Sequence, residues 1–180
     1  DNNIHKVVDI LNDKNQFSVV QCAPAVRVAI AEDFGMDLGS LTPGKMAAAL
    51  RKLGFDRVYD TNFSADLTIM EEGTELIERV TKNEKLPMFT SCCPAWVKYM
   101  EQSHPEYLDH LSTCKSPQQM AGAIFKTYGA KLDNKSAKDI ATVSIMPCTC
   151  KSFESERKEM NSSGERDVDV VLTSRELAYL

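Results

Sequence analysis

Six cysteines stand in this chain, with Cys92 and Cys93 adjacent and Cys148 and Cys150 separated only by Thr149. Neither pair has the spacing of a zinc finger. Neighbouring residues on an extended backbone point to opposite sides, so Cys92 and Cys93 can serve two partners, one a metal and the other a pocket. A thiolate suits an iron-sulfur cluster. An unligated thiol, with a pKa of ~8.5, stays mostly protonated at neutral pH and can pass a proton. Judged on adjacency alone, both cysteines would more often be small buried fillers.

Three disulfides are arithmetically open to six cysteines, but disulfide frameworks belong to small secreted scaffolds with little core. This chain has 180 residues, 43% hydrophobic and 26% charged, an ordinary globular mixture. A chain of about that length hides roughly two-thirds of its unfolded surface, enough for one domain or one lobe of a larger one. The net charge of -5, with Lys and Arg scattered, gives no cationic field for nucleic acid. No apolar run approaches the ~20 residues that span a bilayer, and no basic-then-apolar leader opens the chain, so membrane insertion is not expected and the cytoplasm is the expected compartment. The first residue is Asp1 and Leu180 falls within a helix that has just begun, so a fragment is expected.

The elements that must position the thiols follow from periodicity and caps. Strands are expected at 17–21, 57–59, 86–89, 140–145 and 168–172. Helices are expected at 25–34, from Thr42-Pro43 to Gly54, at 64–82, at 95–100 and at 117–128, with a further charged helix after Lys151. The 64–82 helix is expected to bury Leu67, Met70, Leu76, Ile77 and Val80. Thr173 to Glu176 reads as a capping box opening a last helix. Alternation of this kind predicts an α/β fold, a mostly parallel β-sheet flanked by helices. Ligands bind outside the carboxyl ends of such strands, which places Cys22, the Cys92-Cys93 pair and the Cys148-Cys150 pair near one site.

Two longer motifs sharpen this. Thr90-Ser91-Cys92-Cys93-Pro94-Ala95-Trp96 and Met146-Pro147-Cys148-Thr149-Cys150-Lys151 resemble, in order and separation, the first two cysteine motifs of iron-only (diiron) hydrogenases. The resemblance runs from Ala23-Pro24 through Thr68-Ile69-Met70-Glu71-Glu72 and Lys115-Ser116-Pro117-Gln118-Gln119 to Arg166-Asp167. It implies the N-terminal half of the catalytic domain that carries the H-cluster, and one lobe of that family's fold.

By the same resemblance, Cys93 and Cys148 would ligate the 4Fe-4S part of the H-cluster. Cys92 would stand as proton donor beside the diiron part, which carries CO and cyanide. Lys151, Ala23, Pro24, Pro117 and Gln118 would line the diiron pocket, with Met146 packed against it. A cation and well-placed donors can hold cyanide by charge-assisted hydrogen bonds. Glu72, Ser112 and Glu75 match the family's proton route. Without the resemblance, Lys151 reads as a solvated lysine, the two glutamates as a solvated helix face and Ser112 as a loop serine.

The implied reaction is reversible reduction of protons to H₂, with ferredoxin as electron partner and with the remainder of the domain and maturation factors also needed. The family's third motif, bearing two further cysteines, is not in these residues. Cys114 and Cys150 stand where the family has small residues, and Cys150 is either an alternative ligand, an oxidation-sensitive thiol or a filler. Cys22 reads as core, and His5, His104 and His110 form no ligand spacing. The rival readings are a cytosolic iron-sulfur assembly factor of the same fold without hydrogen activity, and a sensory hydrogenase.

Overall fold

The structure, a computed structural model, describes residues 3–180. Its centre is a four-stranded, wholly parallel sheet in the order β2-β1-β3-β4. Strand β1 is Phe17–Cys22, β2 Arg57–Asp60, β3 Ile140–Ile145 and β4 Val170–Leu172. A parallel strand covered on both faces reads as a continuous apolar run. Accordingly all of β3 is buried, as is β1 from Ser18 onward. The register pairs Phe17 with Ile140 and Cys22 with Ile145, so these two strands end level with each other.

Alternate side chains of β1 serve opposite layers. Val20 and Cys22 join a core with helices α1 (Ile4–Asn12), α2 (Val26–Asp33) and α3 (Pro43–Leu53). Val19 faces Ala121 and Phe125 on the other side. Thr42 does not cap α3 through its side chain as expected; its hydroxyl donates to the Arg27 carbonyl at 2.8 Å and ties α3 to α2. Gly54 ends α3 at φ 110°, a left-handed conformation that only glycine adopts without penalty.

Helix α4 is Asn62–Lys82, and its buried face is not the one that hydropathy suggests. Ser64, Thr68 and Arg79 are buried, Leu67 is half-buried, and Met70, Leu76, Ile77 and Val80 are exposed. Helix α4 packs on α6, and the buried Ser64 and Thr68 satisfy their hydroxyls on local backbone carbonyls at 2.8 Å. Residues 86–89 are likewise not a sheet strand: Phe89 makes one isolated parallel bridge with Leu111. The expected 117–128 helix is α6 (Pro117–Ile124), followed by a π-helical turn at Phe125–Gly129 and one short turn, α7 (Ala130–Leu132). A Cβ on Gly122 would lie 2.3 Å from the Asp167 carbonyl oxygen, so its lack of a side chain is what lets α6 lie against that segment. After β3 come α8 (Cys150–Ser155), β4 and α9 (Ser174–Tyr179), and α9 opens with the expected capping box of Thr173 and Glu176.

Candidate active site

The carboxyl ends of β1 and β3 each release a loop toward the same edge. Cys22 does not join it, because its thiol is buried against the Met46 sulfur at 3.1 Å and burial pushes its pKa up to about 12. Ala23 stays buried, its N–H on the Ile145 carbonyl at 3.0 Å, and Pro24 is exposed. Met146 is buried, its N–H on the Leu172 carbonyl at 2.8 Å.

Cys92, Cys93 and Cys148 are exposed. Cys93 precedes helix α5 (Pro94–Ser103) in extended backbone, with φ -99° and ψ 110°, and Pro94 occupies the first turn where no N–H is needed. Because α5 packs on α8, the two cysteine motifs face each other. The Cys150 thiol is pushed up, first by the neighbouring Cys148 sulfur and then by burial and by Cys93, which puts three sulfurs in one electrostatic neighbourhood. No three His, Cys, Asp or Glu groups form a metal-ion site among the described residues.

Lys151 bridges the motifs. Its Nζ donates to the Cys92 carbonyl at 2.7 Å and to Glu154 Oε2 at 3.1 Å. Pro117 opens α6, and Gln118 beside it is 1% exposed. The Gln118 amide nitrogen donates to the Lys151 carbonyl and to Glu154 Oε2, both at 3.1 Å, while its Oε1 is buried without a partner.

A second cluster lies between α4 and the segment after Phe89. The Ser112 hydroxyl donates to Glu75 Oε2 at 2.8 Å, and Arg79 donates to Glu75 Oε1 at 2.6 Å. Burial works to raise the Glu75 pKa, but hydrogen bonds from Ser112, Arg79 and the Thr113 N–H outweigh it and hold the carboxyl below its usual range. Arg79 also donates to the carbonyls of Lys85, Asp109, His110 and Leu111. Glu72 is half-buried with Oε1 unpartnered, outside the Ser112–Glu75 pair. Cys114 places its sulfur 3.9 Å from Glu75 Oε2 and its N–H on the Ser112 hydroxyl at 3.1 Å.

Two residues of this site escaped the reading of the sequence, Arg79 and Glu154. Each has a local signal: Arg79 lies four after Glu75, and Glu154 three after Lys151, both spacings that put opposite charges on one helix face.

A family model described as "Iron only hydrogenase large subunit, C-terminal domain" matches residues 16–180. The chain belongs to that family. A hydrogenase relative, the periplasmic [Fe] hydrogenase large subunit of Nitratidesulfovibrio vulgaris, is 54% identical over 94% of this chain and 41% of its own length. An apo [FeFe]-hydrogenase HydA1 structure from Chlamydomonas reinhardtii superimposes with a TM-score of 0.92 at 44% identity, over 98% of this chain and 46% of that one. The family match extends to a cytosolic Fe-S cluster assembly factor, narfl of Danio rerio, 35% identical over 88% of this chain and 40% of its length. The chain thus spans less than half the length of these relatives. No helix among the described residues is long and apolar enough to cross a membrane.

The residues present fit an iron-sulfur group of the hydrogenase kind. Exposed thiols from two facing loops are the soft donors that iron-sulfur clusters take.

Proposed function

We propose that this chain is the thiolate-bearing and proton-handling half of a hydrogenase catalytic domain, working as 2 H⁺ + 2 e⁻ ⇌ H₂ with ferredoxin as the electron partner. The observation that carries the reading is the Ser112–Glu75 hydrogen bond, a hydroxyl and a carboxylate from distant segments joined in a chain that also carries the paired cysteine motifs. Cys93 and Cys148 would hold the 4Fe-4S part of the H-cluster, the remainder of the domain completing its ligands. When bound, the group, with its diiron part and CO and cyanide ligands, would relay the electrons brought by ferredoxin and offer the site of hydrogen chemistry.

The chain's own residues do the rest. The Cys92 thiol, adjacent to a ligand but free to carry its proton, delivers or accepts H⁺ at Sγ. Ser112 Oγ–H and Glu75 form the conducting pair, and Glu72, with a buried oxygen free, is the step between that pair and Cys92. Lys151 offers positive charge, Gln118 and Pro117 wall the pocket with Ala23 and Pro24, and Met146 excludes water from beneath. Free cysteines suit a cytoplasmic setting, against which the periplasmic relative stands; fractionation of the source cells decides between them.

The test is the iron-loaded full-length protein assayed for H₂ evolution from reduced ferredoxin. Cys92→Ala should abolish turnover with iron retained, and Cys93→Ala should lose iron. Equal loss of iron in both variants would sink the division of roles. A second reading, an iron-sulfur assembly factor, is favoured by the narfl relative; it predicts bound 4Fe-4S with no H₂ turnover.

A further inference from the structure

We infer that Glu154 is a positioning residue, the joint that locks the Cys92-Cys93 turn to the Cys148-Cys150 turn and orients Lys151 and Gln118 at the pocket they share. Glu154 is 3% exposed, and a single oxygen, Oε2, takes three donors: Ser116 Oγ at 2.8 Å, Gln118 Nε2 at 3.1 Å and Lys151 Nζ at 3.1 Å. A carboxylate this deeply buried persists only when paired and hydrogen-bonded. Two of the donors come from the cap and first turn of α6 and the third from the start of α8, so one side chain joins these two segments, and Lys151 carries the link on to the Cys92 carbonyl.

The consequences for the two pocket residues follow from their donor counts. A lysine ammonium has three N–H donors. Glu154 and the Cys92 carbonyl take two of them, which fixes the head group and leaves one for an acceptor outside this chain. The Gln118 amide nitrogen has two hydrogens, and the Lys151 carbonyl and Glu154 take both. Its orientation is therefore set: nitrogen toward Glu154, and the unpartnered Oε1 away from it. The same residue reaches further, since the Gln118 carbonyl accepts from Gln21 Nε2 at 2.8 Å and Gln21 Oε1 from the Thr61 hydroxyl at 3.1 Å. Glu154 thereby ties α8 to the last residues of β1 and the first turn of α4.

The catalytic part of this inference rests on the proposed hydrogenase reading; the positioning part does not, and the experiment separates them. In the full-length protein without iron, each lysine is acylated with acetic anhydride and its rate read by mass spectrometry. Wild-type Lys151 should react several-fold more slowly than the exposed Lys98 and Lys158. Glu154→Gln, which keeps the shape and removes the charge, should raise the Lys151 rate roughly tenfold, with Lys98 and Lys158 unchanged. Wild-type Lys151 reacting as fast as its exposed neighbours would overturn the proposal without any variant, as would an unchanged rate in folded Glu154→Gln. In the iron-loaded protein the same variant should lower kcat about tenfold at equal iron content. Unchanged kcat would confine Glu154 to structure and overturn its role at the pocket. A wild type with no H₂ turnover at all would instead count against the hydrogenase reading and leave the labelling result standing.

Discussion

Ser112 and Glu75 are joined by a 2.8 Å hydrogen bond across 37 positions of sequence, and that bond fixes how an acid on a long helix meets a hydroxyl in a loop. The remaining donors on Glu75, from Arg79 and Thr113, leave it a charged acceptor.

Ser112→Ala should therefore reduce H₂ turnover in the loaded full-length protein by about 10²-fold, the usual weight of one positioned proton-transfer group. It should cost only about 1–2 kcal/mol of stability, because Arg79 and Thr113 still hold Glu75. Steady-state assay beside urea unfolding separates the two.

The lowered Glu75 pKa links to stability with a definite sign. A carboxyl whose folded pKa lies below its unfolded value contributes stability that is present above the unfolded pKa, near ~4.3, and lost as pH falls through the folded value. The unfolding free energy should fall between neutral pH and about pH 3, and Glu75→Gln should flatten that fall. Parallel curves for the two proteins would assign the acid sensitivity elsewhere.

Arg79→Met should be among the most destabilising single changes. It leaves Glu75 charged and half-buried, and strips donors from four carbonyls. Removing one partner of a buried ion pair costs about 3–5 kcal/mol, read as a lower urea midpoint at unchanged slope.

Cys93→Ala and Cys148→Ala should each abolish 4Fe-4S incorporation, whereas Cys150→Ala should retain it. Iron and sulfide content per chain after anaerobic reconstitution is the measurement. Retention of full cluster by Cys148→Ala with loss in Cys150→Ala would move the ligand by two residues.

Gly122→Ala should cost about 1–3 kcal/mol by overpacking, since the new methyl would meet the Asp167 carbonyl at 2.3 Å. Thermal unfolding tests it, and Gly44→Ala, which meets nothing within 4 Å, is the control.

Much of the fold was legible because its central strands, β1 and β3, are buried on both faces. The runs forming β1 and β3 have no alternative to a central position, and the turn chemistry at Gly54 and the Thr173–Glu176 box follows from residue type. Helix α4 misled, because hydropathy counts apolar residues, whereas the residues it buries are Ser64, Thr68 and Arg79, the first two with hydroxyls that bond local backbone. The 86–89 segment has strand-like composition but pairs with no sheet strand, its backbone instead bridging from Phe89 to the Leu111 segment, a tertiary neighbour that no local pattern announces. At the site, the cysteines and Lys151 were readable from motif order. Glu154 was not, because its importance lies in burial and in three donors on one oxygen.

Because β1 lies between β2 and β3, chain synthesis sets an order on the site. β1 and β2 leave the ribosome early and can pair, yet the far flank of β1 waits for β3 through most of the chain, a delay on the order of ten seconds at ordinary elongation rates. Cys93 is made during that interval, and Cys148 emerges only after β3. Under the proposed reading of Cys93 and Cys148 as ligands, iron arriving on the nascent chain would meet an unmatched thiol, and cluster delivery would follow the insertion of β3, when the sheet itself has brought the second motif into place.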